Sequence, residues 1–195
     1  MKAYGMRRIA LSALVVVVLL LATGCAKKQV IREPESLEQE TKTPYDVLEK
    51  NIYSATKPFI GKKYKTGANP EKSPYTDCSH LVCAVTKNSL SGSGFDFKPQ
   101  YLPSDKIYDM SYEVTKHEIR PGDLMFFTDS KNSQNHVGLI TRIHKGAVYF
   151  VQASSQAGVV ESSTKSDAWE YYWKRRFDSF RRWKKIVFKE LGLKY

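Results

Sequence analysis

The sequence predicts an α+β domain in which helices come first and an antiparallel sheet follows. Three observations carry that prediction. Tyr45, Leu48, Ile52 and Ala55, and again Cys78, Leu81, Val82 and Val85, recur at the three- and four-residue spacing of an amphipathic helix. From Ile119 onward the pattern changes to short runs rich in β-branched and aromatic residues, punctuated by turn residues. The length of 195 residues accommodates one domain with a real core plus a targeting segment, and no internal repeat divides it.

Taken in order, residues 1–24 read as an export signal. Lys2, Arg7 and Arg8 form its charged start, and Ile9 to Leu21 an apolar stretch too short for a comfortable transmembrane helix. The run Leu21-Ala22-Thr23-Gly24-Cys25 resembles the bacterial lipobox, in which the cysteine is diacylated and becomes the new N-terminus; Ala22 stands where Leu is preferred. Residues 25–43 are then the lipidated Cys25 and a polar, mixed-charge tether. Thr43 and Pro44 open the first helix as cap and first helical residue, and Pro58 and Gly61 end it. A loop of small residues, 61–68, leads to a second helix from about Asp77 to Leu90, stopped by Gly92-Ser93-Gly94. Residues 95–120 are expected to be irregular, with a short helix at Ser104 to Met110. Strands are expected at Asp123–Thr128, His136–Ile143, Ala147–Ala153, Gly158–Glu161 and Tyr171–Phe180, with Lys145-Gly146 turning a hairpin. The domain is expected to span residues 44–183, leaving 184–195 as a basic C-terminal tail.

The chain carries 31 Lys and Arg against 20 Asp and Glu, a net charge of +11, and stays strongly positive without its first 24 residues. A positive exported protein is drawn to anionic lipid headgroups or acidic wall polymers, and export argues against nucleic acid. The segment Lys174 to Lys189 interleaves Lys and Arg with large apolar residues. It reads either as a strand followed by a solvated basic helix or as a contact for anionic lipid or wall polymer. The three cysteines, Cys25, Cys78 and Cys83, do not form a disulfide framework. Cys78 and Cys83 point about 140° apart around a helix, so they cannot share a metal. That leaves one cysteine for lipidation, one reactive and one packed in the core. No metal or organic cofactor is implied.

The chemistry centres on Thr76-Asp77-Cys78-Ser79, which places a thiol at a helix start capped by Thr76 or Asp77. The helix dipole is expected to lower the thiol's pKa and supply a thiolate near neutral pH. His136 and Gln152 supply a base and an orienting group for a cysteine nucleophile. With the hairpin turn centred on His144, these two become directly opposite neighbours, their Cβ atoms about 5 Å apart. A one-residue slip would put them on opposite faces. The Gln152 amide oxygen would hold one imidazole nitrogen and aim the other at Cys78. His144, roughly 26 Å along the strand, is out of reach.

Asp77-Cys78-Ser79, Pro121-Gly122-Asp123-Leu124, His136-Val137-Gly138, Gln152-Ala153-Ser154 and the segment Tyr172 to Phe177 occur in an order that resembles the NlpC/P60 family of papain-like cysteine peptidases. The resemblance spans roughly residues 44–182. It implies a papain-like fold with the nucleophile at a helix start, packed on an antiparallel sheet. It implies hydrolysis of peptide bonds in peptidoglycan stem peptides, in this family often between D-glutamate and diaminopimelate. By position it makes Cys78 the nucleophile, His136 the base and Gln152 the orienting residue. Tyr64 matches a family tyrosine beside the nucleophile, and Tyr64, Asp77 and Ser79 become the oxyanion or substrate-binding positions.

The departures from the family pattern are specific. His80 stands where Gly usually follows Asp-Cys-Ser, and reads either as a side chain that narrows the cleft or as a partly exposed helix residue. Thr66 and Ala68 replace Tyr or Leu and Gly, and Ser104 replaces an Arg. Gln152 replaces a His, and a neutral amide stabilises imidazolium less than a polarisable partner would. The expectation is a monomeric cell-envelope lipoprotein peptidase, anchored through Cys25 on the periplasmic side, at the outer membrane if the cell has one. Two other readings are a non-catalytic envelope-binding lipoprotein and a thiol acyltransferase or amidase on the same scaffold.

Overall fold

The structure is a computed structural model that describes residues 42–128 and 134–192. The expected export signal, Cys25, nearly all of the tether and most of the 129–135 loop lie outside the described residues. Helix α1 (Pro44–Thr56) starts on a reciprocal cap: Asp46 N–H donates to Thr43 Oγ1 at 3.3 Å, and Thr43 N–H donates to the Asp46 carboxylate at 2.8 Å. Its Val47, Leu48 and Ile52 are buried, and Pro58 sits in the 3-10 turn Lys57–Phe59 that ends it. Helix α2 (Cys78–Leu90) begins at Asp77, whose carboxylate accepts the His80 N–H at 2.8 Å. The stripe Leu81, Val82 and Val85 is fully buried.

Two strands too short to show any period, β1 (Lys63–Tyr64) and β2 (Tyr75–Thr76), pair in parallel and draw the 61–68 loop against the start of α2. Strand β3 (Phe95–Phe97) and helix α3 (Ser104–Asp109) follow. The main sheet comprises β4 (Ser111–Val114), β5 (Leu124–Thr128), β6 (Gln134–His144), β7 (Ala147–Ser154), β8 (Gly158–Ser163) and β9 (Phe177–Trp183). Its order is β4-β9-β5-β6-β7-β8 and every pairing is antiparallel. Central β5 reads Leu-Met-Phe-Phe because both of its faces are covered. Leu124 and Phe126 join the core beneath α1 and α2, while Met125 and Phe127 join a second cluster with Phe150, Trp169, Trp173 and Phe177.

Three expectations are corrected. The strand expected at Tyr171–Phe180 is a single wide helical turn, Trp169–Trp173, before β9 begins at Phe177. Extended chain would separate Trp169 from Trp173 by about 13 Å. The turn instead brings both rings onto Phe127, at centroid distances of 6.4 and 5.0 Å. The basic tail is neither a tail nor a helix: a 3-10 turn (Lys185–Val187) leads into β10 (Phe188–Glu190), which pairs with β3. Val187 and Phe188 are buried in the main core beside Phe97 and Trp183, so the domain runs through Glu190.

The third correction concerns the hairpin register. Its turn is Lys145-Gly146, with His144 opposite Ala147 and Arg142 opposite Tyr149. That register alone would send His136 and Gln152 to opposite faces. A bulge at Thr141 shifts the pairing by one residue, so that Ile140 faces Phe150 and Leu139 faces Val151. Continued toward the site, the shifted register makes His136 and Gln152 diagonal neighbours on one face rather than direct partners. The bulge makes their contact possible.

Candidate active site

Cys78 is the first residue of α2 and 6% exposed. Its sulfur is approached by backbone N–H groups of Val137, Ser79 and Cys78 itself. The Val137 contact brings the helix start against β6 one residue beyond His136. Burial pushes the thiol up to about 11, and the backbone donors only partly offset it. The helix start therefore does not yield the resting thiolate expected from the dipole alone. Desolvation outweighs it. Cys83, one turn further and buried, is pushed up to about 12 by the same cause.

His136 lies opposite Phe127 and its ring stacks on Trp173, with centroids 4.9 Å apart and planes 21° from parallel. This apolar setting lowers its pKa to about 4 through desolvation, with the Gln152 hydrogen bond working the other way. Its Nε2 is 2.7 Å from Gln152 Oε1. An amide oxygen only accepts, so Nε2 carries the proton and Nδ1 is the free base. Gln152 is 1% exposed and its Nε2 donates to Ser162 Oγ at 2.7 Å, which fixes which way the amide points. Ser162 is thus a fourth member of the chain that sequence reasoning missed. Only the β7–β8 register reveals it, since Ser162 pairs with Phe150 and is diagonal to Gln152.

Asp77 and Ser79 are both buried and turned toward the helix start. The Asp77 carboxylate accepts from Gly67 N–H (2.7 Å), His80 N–H (2.8 Å) and Ser79 Oγ (3.0 Å), and lies 3.1 Å from His80 Nδ1. Burial alone would raise this carboxyl, but the donors together hold it below the usual carboxylate range. His80 is more engaged than a partly exposed helix residue: besides meeting Asp77, its ring stacks on Tyr101 at 3.5 Å. Tyr64, held beside Thr76 by the β1–β2 pairing, faces a cleft of about 600 Å³. That cleft is also lined by His136, Gln152, Ser162, Trp173 and Arg176; Cys78 is not part of its lining.

The arrangement is a buried thiol held against the backbone N–H of Val137, next in sequence to a neutral imidazole whose Nε2 is tied to an amide. The NlpC/P60 family profile matches residues 61–182. The chain is 34% identical over 105 residues to the Murein DD-endopeptidase MepS/Murein LD-carboxypeptidase of Escherichia coli (strain K12), covering 50% of this chain and 51% of that protein. The match thus spans about half the length of that relative. It is 27% identical over 172 residues to the Probable endopeptidase NlpC of the same strain, covering 87% of this chain and 97% of that one. A solved structure from Staphylococcus aureus subsp. aureus Mu50, described as similar to a lipoprotein of the NLP/P60 family, superposes with a TM-score of 0.52. Its 21% identity over 70% of this chain and 41% of that one speaks for the fold alone. On the matched residues and the fold together, this chain belongs to the NlpC/P60 family.

Proposed function

We propose that this protein is a cysteine peptidase that hydrolyses peptide bonds in peptidoglycan stem peptides through Cys78, His136 and Gln152. The observation that carries the reading is the tie from His136 Nε2 to Gln152, at 2.7 Å, with the Cys78 sulfur held against the next backbone N–H of the same strand. It frees Nδ1 to serve as a base at the helix start. Murein-acting relatives supply the substrate class.

Because both groups rest neutral, the proton moves as the bond forms. His136 Nδ1 takes the thiol proton while the Cys78 sulfur attacks the peptide carbonyl carbon. The oxyanion is met by the Cys78 and Ser79 backbone N–H groups, with the Tyr64 hydroxyl at the cleft wall. Collapse breaks the C–N bond, and His136 returns the proton to the departing amine. Water, deprotonated by His136, then attacks the thioester and releases the acid and the thiol. Asp77 and the Ser79 hydroxyl act through the shape of the helix start, since their polar atoms are engaged there.

The test is digestion of purified peptidoglycan by the soluble domain, with the released fragments identified by mass. Wild-type protein should release fragments cut at one kind of peptide bond, and Cys78→Ser should release none. The low exposure of Cys78 favours a second reading, a stem-peptide binder without turnover. Retention of peptidoglycan with no fragments from wild-type protein would establish that reading instead. Anchoring through Cys25 at the cell envelope completes the proposal.

A further inference from the structure

Among the described residues that line the cleft, Arg176 is the formally charged one, since His136 rests neutral well above its lowered pKa. The rest of the described lining is aromatic, apolar or uncharged polar. A cleft wall with one fixed positive charge among its described residues is complementary to one negative charge on its ligand.

The guanidinium is also held in a defined pose. It lies over the Tyr172 ring, 3.9 Å from the centroid, and Nη1 donates to the Tyr172 carbonyl at 3.2 Å. The backbone carbonyl of Arg176 accepts from Thr128 N–H at 2.8 Å, so its Cα is pinned to β5. Among the described residues no carboxylate lies within ion-pair distance, and no protein acceptor meets Nε or Nη2. Those two N–H groups form the flat edge that matches a carboxylate two bonds to two oxygens. The other arginines of the sheet are spent differently. Arg182 is doubly bonded to Asp123, Arg142 is paired with Glu161, and Arg181 is bound to Ser111.

We infer that the Nε–Nη2 edge of Arg176 binds a free carboxylate of the substrate peptide, so the cleft selects peptides whose carboxylates are uncapped. The inference rests on the peptidase reading above and deepens it. Arg176 here is a specificity residue that touches substrate, not a member of the proton-transfer chain.

The experiment compares two forms of one stem peptide, one with free carboxylates and one with the carboxylates amidated. Binding is measured to Cys78→Ala protein through the fluorescence of Trp173, which lines the same cleft. Turnover is measured with protein carrying Cys78. The free-acid peptide should bind about 10- to 100-fold more tightly than the amide, for a charge-assisted bidentate contact. Arg176→Gln should remove that preference by weakening only the acid, and Arg176→Lys should restore part of it. Equal binding of acid and amide by the Cys78→Ala protein overturns the inference, as does an equal loss on both peptides in Arg176→Gln or no binding of either. If Arg176→Gln fails to fold, the acid-to-amide ratio of the parent protein decides alone. The two readings fail differently. Turnover of both peptides with equal kcat/KM leaves the peptidase and removes the clamp; an acid preference in binding without any turnover leaves the clamp and removes the peptidase.

Discussion

Replacing Gln152 with Ala removes a side chain that is 1% exposed and bonded on both sides, to His136 Nε2 and to Ser162 Oγ, each at 2.7 Å. In the resting site the bond to His136 joins two neutral groups. During attack the imidazole takes the thiol proton, and the same bond becomes charge-assisted, worth about 1.5–3 kcal/mol. At about 1.4 kcal/mol per tenfold, kcat should fall roughly 10- to 150-fold. KM should stay within about twofold, because the lost bond strengthens only as charge develops. Folding stability should drop by about 1–3 kcal/mol, since the Ser162 hydroxyl and the imidazole N–H are left without partners in a covered site. The assay is hydrolysis of a stem peptide at matched folded concentration, with His136→Ala as the background. Gln152→His should retain activity to within about tenfold, because one ring nitrogen can meet Ser162 while the other accepts from His136. Gln152→Glu should raise the His136 pKa by placing a carboxylate against it, moving the acid limb of the pH profile upward. A Gln152→Ala enzyme with kcat within twofold of wild type would refute the orienting role.

The remaining predictions follow from burial, backbone geometry and the N-terminal segment. With His136 lowered to about 4 and Cys78 raised to about 11, the kcat/KM profile should keep its plateau down to about pH 5; an acid limb between pH 6 and 7 would contradict a neutral resting pair. The same shift destabilises the fold in acid. Between the ordinary value of 6.5 and about 4 the unfolded chain binds the His136 proton and the folded chain does not, so stability should fall as pH drops through that window and His136→Ala should remove this part of the slope. Gly158 has φ +67°, and a Cβ there would sit 2.3 Å from the Lys62 carbonyl oxygen, which accepts the Val159 N–H. Gly158→Ala should therefore lower the melting temperature by roughly 4–8 °C, as a strained backbone and a backbone clash together cost about 2 kcal/mol. Cys25→Ala should release the protein from membranes or leave it unprocessed, read by fractionation and by mature size.

Much of this protein is legible in its sequence. The cap at Thr43, the Asp77–Cys78 helix start, the apolar stripes of both helices and the hairpin around Lys145-Gly146 follow from local rules: capping chemistry, a 3.6-residue period and turn residues. Those rules act over a few neighbouring residues, so the residues themselves carry them. Three things needed the tertiary structure. The Thr141 bulge, with no marker of its own in the sequence, decided that His136 and Gln152 share a face. Trp169–Trp173 curls instead of extending, because two rings must reach one Phe127 across the sheet. The ionisation of Cys78 and His136 was set by how completely α2, β6 and the Trp173 ring exclude water. Local sequence favoured a thiolate through the helix dipole, an effect of a fraction of a kcal/mol to about 2. Desolvation of a charge costs more. It depends on residues up to a hundred positions away that only folding brings together.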